Sequence, residues 1–181
     1  MLHPRVARWL VLPFLPLAAG GCSVVVAQEA GASYAVGKSE QSTVSGATYA
    51  GLGTSSPRGG LGAGPELRIK VGPNLGQVAL GPMFFLLAGP DEEHPFAMFV
   101  GRAGFNLLQF EQVEGRFGFG MFSPHLSLGV SLRLTNSLRL FIMPEAEYDV
   151  RFTGQSNTGF VSLMIGIGAA TYATAQGHPA R

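Results

Sequence analysis

Through two consecutive segments of this chain, apolar residues occupy every second position. The first, 125–134, reads His-Leu-Ser-Leu-Gly-Val-Ser-Leu-Arg-Leu. In the second, 138–152, the even positions are mostly apolar, and Arg139, Glu145, Glu147, Asp149 and Arg151 fall at odd ones. Successive side chains of a strand point to opposite faces, so this pattern predicts an antiparallel pair with one aliphatic and one polar face. A helix of period 3.6 cannot segregate residues that alternate with period two.

Register follows from the same alternation, because facing residues of a pair share a side of the sheet. Setting Leu134 beside Leu138 makes Thr135-Asn136-Ser137 the connecting loop. Ser127 then faces Glu145, His125 faces Glu147 and Arg133 faces Arg139. Two arginines side by side need a carboxylate nearby or water at a rim. In the last strand Val161, Leu163, Ile165 and Ile167 are apolar at odd positions, and the shortest reasonable pairing sets Gly166 opposite Glu147 and Gly168 opposite Glu145. Glycine there leaves room for an inward carboxylate in a narrow, filled lumen. Pro144 cannot donate to a ladder, and a bulge at that point would shift the register beyond it.

Turn signals divide the rest of the chain into further short strands. Weak candidates lie at 33–36 and 43–52, and clearer ones at 66–71, 77–88, 97–110, 116–122 and 159–172. The Gly-rich stretch 59–65 reads as a loop, 72–74 as a turn, and 89–95 as a solvated loop. About eight strands result, with no helical period. The expected fold is all-β, an antiparallel up-and-down barrel of about eight strands. The alternative is a soluble β-sandwich or lipocalin-like barrel with the aliphatic face buried.

The first 27 residues read as a secretory signal: Arg5 and Arg8, an apolar segment from Trp9 to Ala19, then small residues. Two cleavage readings stand. Residues 17–22 (Leu-Ala-Ala-Gly-Gly-Cys) are similar to a lipobox, which would make Cys22 a lipidated N-terminus. Cleavage after Ala27 is the other reading. The single-domain barrel is assigned to 28–172, with 173–181 as a tail. Removing the leader leaves roughly 155–160 residues, one domain's worth of chain.

Charged residues are 13% of the chain against a typical ~25%. Once Arg5 and Arg8 are gone, ten basic side chains face eleven acidic ones, a balance that excludes electrostatic capture of nucleic acid. No apolar run reaches the ~20 residues of a spanning helix. Only two lysines are present, Lys38 and Lys70, few for a sheet with one face in water. An aliphatic face in lipid and a charged face in the lumen accommodates this composition, since a closed barrel pairs all its backbone groups.

The alternating strands of 115–172, about ten residues each, resemble the small eight-stranded outer-membrane β-barrel proteins of Gram-negative bacteria, and the rest of the chain resembles them more loosely. Such barrels usually end on an aromatic residue; here Tyr172 is followed by nine more residues. The resemblance implies an outer-membrane location in the bacterial envelope. Its partners would be membrane lipid and other envelope proteins met through loops, with no cofactor and no nucleic acid. A lipid-anchored periplasmic β-domain binding an apolar small molecule is the alternative.

Candidate site residues are of three kinds. Arg133, Arg139, Glu145, Glu147, Asp149 and Arg151 are expected to form a charge network in the lumen. Cys22 is the candidate lipidation site. His125, Ser127 and Glu147 share a face in the manner of an acyl hydrolase. Some small outer-membrane barrels are lipid A deacylases with such a trio, but this chain matches only the His-x-Ser spacing, and a hydrogen-bond network accounts for the same residues. The expectation is a non-enzymatic protein. The 91–94 run (Asp-Glu-Glu-His) and the odd-numbered carboxylates of 145–149 are metal-capable, but their contexts read as a solvated tip and a salt-bridge ladder, so no metal is expected.

Overall fold

The computed structural model of the protein describes residues 21–36, 42–56, 58–90, 95–113, 115–120, 122–150 and 157–172. They form ten strands in chain order: β1 Cys22–Val36, β2 Ser42–Ser56, β3 Gly59–Gly72, β4 Leu75–Ala88, β5 Ala97–Asn106, β6 Leu108–Val113, β7 Arg116–Gly120, β8 Ser123–Arg133, β9 Arg139–Asp149 and β10 Thr158–Tyr172. All pairings are antiparallel; besides chain neighbours, β4 pairs with β6 and β5 with β8, and β1 closes the ring against β10.

Ten strands make an eight-stranded barrel because β5 and β6 are one wall strand, as are β7 and β8. Strand β4 pairs with both β5 and β6. Between the pairs Met83↔Gly104 and Leu80↔Leu108, the β5–β6 side holds one residue more than β4. That surplus is a β-bulge, with Leu107 donating from its backbone to Leu80 O at 2.9 Å.

Partners can be followed around the ring from Val24 through Leu52, Ala63, Phe84, Ala103, Leu126, Ala146 and Val161. The path returns to β1 at Tyr34, ten residues from its start. Eight strands with this stagger tilt steeply and enclose a lumen narrow enough for side chains to fill.

The β8–β9 pair has the register read from the sequence. His125 faces Glu147, Ser127 faces Glu145 and Arg133 faces Arg139. Leu134 N donates to Leu138 O at 2.9 Å, and Thr135 Oγ1 accepts from Leu138 N at 3.0 Å, closing the loop. Pro144 interrupts the ladder without a bulge, since Ser127↔Glu145 and Val130↔Ile142 on either side share one register.

Three expectations are corrected. Strand β1 is not confined to 33–36 but starts at Cys22, so the barrel begins before residue 28. Residues 59–65 are not a loop but the first half of β3, where glycine serves clearance: a Cβ at Gly62 would lie 2.6 Å from the Phe85 ring. In β9–β10 the parity holds but the offset does not, because Gly166 faces Phe141 and Gly168 faces Arg139, while Glu147 faces Phe160. The side chain that Gly166 accommodates is Glu29, its partner across β1–β10; a Cβ there would lie 2.5 Å from Glu29 Cγ.

Burial alternates along every long strand with the aliphatic face outward. Leu126, Leu128 and Val130 of β8 are exposed, as are Val161, Leu163, Ile165 and Ile167 of β10, whereas Ser127, Glu145, Asp149 and Arg102 are at most 3% exposed. This inverts a water-soluble core.

Candidate functional site

The lumen has two compartments. Toward the end that carries Cys22 and Tyr172, it is packed with Val25, Tyr49, Met83, Phe85, Met98, Val100, Phe141, Met143 and Met164. Toward the other end lies a network of buried ions. The carboxylates expected there, Glu145, Glu147 and Asp149, all point inward, at alternate positions of β9.

Their described ion pairs run to cations on other walls. Arg68 of β3 pairs with Glu145, contacts Glu147 at 2.8 Å and reaches Glu66 at 3.1 Å. Lys70 lies 2.9 Å from Glu147 and 3.3 Å from Asp149, over the Phe160 ring. Arg102 of β5 spans the lumen. Its Nη2 lies 2.6 Å from Glu145, and its Nη1 lies 3.1 Å from Glu29 and 3.4 Å from Glu66. Its guanidinium also stacks 4.5 Å from the Tyr49 centroid, and Tyr49 donates to Glu29 at 2.6 Å. Charges out of water need partners and hydrogen bonds on every side, and cations and carboxylates from opposite walls supply them here.

The arginines singled out from the sequence are placed differently. Arg139 lies at the apolar end, where it donates to Ser131 Oγ at 3.0 Å and to the carbonyls of Pro95 and Phe96 at 3.0 and 3.2 Å. It ties the end of the 89–96 connection to the rim. Arg133 is half-buried opposite it and donates its backbone N–H to Phe96 O at 2.7 Å. Arg151 and the 91–94 run lie outside the described residues. Sequence reasoning missed Arg68, Lys70, Arg102, Glu29 and Glu66. The alternation of 66–71 carried a signal for three of them, since Glu66, Arg68 and Lys70 share one face of that strand.

The Ser, His and carboxylate face is assembled as expected but not linked as a nucleophile site. His125 Nε2 lies 2.7 Å from Glu66 Oε2, and its Nδ1, also buried, has no hydrogen-bond partner. Ser127 Oγ donates to Glu145 at 2.8 Å and accepts from Arg102 at 3.1 Å. A Ser–His hydrogen bond is the first requirement of that chemistry; each residue instead serves a different carboxylate inside the lumen.

Space around His125 depends on Gly104, where a Cβ would lie 2.6 Å from the imidazole Nε2 and 2.8 Å from Pro82 O. Gly104→Ala is expected to destabilise the barrel by about 1–3 kcal/mol through overpacking. The check is its urea unfolding midpoint in micelles against the parent.

No protein-family model matches the chain, and no curated protein matches it in sequence. Solved structures do match in shape. Neisserial surface protein A aligns with a TM-score of 0.58 at 14% identity, covering 82% of this chain and 98% of that one. The outer membrane enzyme PagL aligns with a TM-score of 0.53 at 12% identity, covering 80% and 98%. At these identities the likeness is one of fold. The chain folds as a small eight-stranded β-barrel of the bacterial outer-membrane type, closed and antiparallel, with a filled lumen.

Proposed function

We propose that the protein is an integral outer-membrane barrel with a sealed interior and a structural or interaction role in the envelope, without enzymatic activity. The inverted burial carries this reading: aliphatic side chains ring the outside, and the ions are inside. Such a surface suits hydrocarbon and is unsuited to water, where an exposed apolar area of this extent drives association. The signal-like N-terminal segment, Arg5 and Arg8 followed by the apolar run Trp9 to Ala19, supports export. The lipid-anchored soluble alternative, with an apolar ligand in its core, needs the aliphatic face turned inward, the reverse of the observed arrangement.

The non-enzymatic reading rests on the separate engagement of His125 and Ser127. The interaction reading is confined to the rims, because the connections between strands are short; the longest run 89–96 and 150–157. Among the described residues the lumen is filled by the Met83–Phe141–Met143 packing and the Arg102 ion pairs, which supports a barrel that does not conduct solutes. Purified protein added to a planar lipid bilayer is therefore expected to give no current steps. Steady unitary conductance of the porin kind would refute the sealed-barrel role.

A further inference from the structure

We infer that the leader is removed within residues 18–21 (Ala-Ala-Gly-Gly) or at the Gly21–Cys22 bond, and not after Ala27. The sequence offers both sites, each preceded by small or β-branched residues. Strand β1 separates them, because its first six residues belong to the barrel wall. Cys22 to Ala27 pair with Thr54 to Tyr49 of β2, and Ser23 to Ala27 pair with Tyr172 to Gly168 of β10. Ser23 and Val25 are wholly buried and Ala27 is 3% exposed, all inside the lumen.

A cut after Ala27 would strip one end of β1 from both neighbours. Two facing rows of backbone N–H and C=O groups, on β2 and on β10, would then be unpaired at membrane depth, where open sheet edges are not tolerated. It would also remove Val25 and Ala27 from the apolar compartment. Of the upstream cuts, only the one at the Gly21–Cys22 bond takes away a described backbone contact, Ser55 N to Gly21 O at 2.9 Å. That contact lies at the rim beyond the first residue of β1, where water replaces it. The reaction is simple hydrolysis. Water adds across the peptide bond, leaving a carboxylate on the leader and a free amine on the mature chain.

The inference rests on the envelope reading given above, and one experiment separates the two. The full precursor is expressed in a Gram-negative host, the cells are fractionated, and the N-terminal residue is identified by intact and peptide mass. A membrane-fraction chain starting anywhere from residue 19 to 22 is the expected result, and a lipid adduct on Cys22 would show in the same spectrum. A membrane-fraction chain starting at Gln28, at any other residue past 22, or at Met1 overturns the inference. A chain found only in the cytoplasm overturns the envelope reading itself.

Discussion

Arg102→Ala is expected to destabilise the barrel by about 3–5 kcal/mol, the usual cost of leaving buried charges without their partner. Three carboxylates, Glu29, Glu66 and Glu145, converge on this guanidinium, and Ser127 donates to the same Glu145. The side chain is 1% exposed, so the three carboxylates have no bulk water to replace the charge they lose. Arg102→Lys is expected to recover only part of the loss, because one ammonium cannot reproduce a planar fork that reaches two walls and stacks on Tyr49. Unfolding midpoints in micelles for the three proteins provide the check. An Arg102→Ala barrel as stable as the parent would show that the lumen network contributes nothing to the fold.

The second large effect is predicted on the outside. Ile165, at the middle of β10, faces Ala30 and Ile142 and is 51% exposed. Ile165→Arg is expected to cost about 2–4 kcal/mol, as a cation does on a lipid-facing strand near the bilayer midplane. On a water-facing strand the same change would be nearly neutral, within ~0.5 kcal/mol. The comparison is made by reversible unfolding in lipid vesicles, with Val36→Arg at the end of β1 as the control expected to cost less. Equal, negligible costs at both positions would mean that the aliphatic face does not meet hydrocarbon.

The sequence was most legible where two constraints met. In β8–β9 a short loop and a strict alternation left one register, and the observed pairs are those of that register. In β9–β10 alternation set only the parity. The 150–157 connection carries no pattern to fix its length, so the pairing fell on the wrong glycine partners. Local composition misled at 59–65, where Gly-Gly-Leu-Gly-Ala-Gly-Pro looks like a loop. A crowded lumen uses those glycines for clearance, as Gly60 does beside Ser23. Strand β1 was shortened for a related reason: its outward residues Ala30 and Ala32 are small, and its inward ones include Ser33 and Glu29, so the two faces contrast weakly.

The candidate site was half legible. Glu145, Glu147 and Asp149 stand on one strand face, and period two reveals that. Their partners Arg68, Lys70 and Arg102 come from β3 and β5, brought near by barrel closure. No local pattern encodes which cation crosses to which carboxylate. Ring closure also explains why Arg139 and Arg133 hold the rim: both lie at strand ends beyond the apolar compartment, far along the wall from Glu147 and Asp149.

The most direct measurement is the folding of residues 22–181 from denaturant, with and without detergent micelles. Circular dichroism and the mobility of unboiled protein on a gel report the outcome. An outward aliphatic wall predicts β-structure and a heat-modifiable mobility shift in micelles, with aggregation in plain buffer. A monodisperse β-protein folding in buffer alone would contradict it, because the exposed faces of β8 and β10 would then have to be covered by something other than lipid.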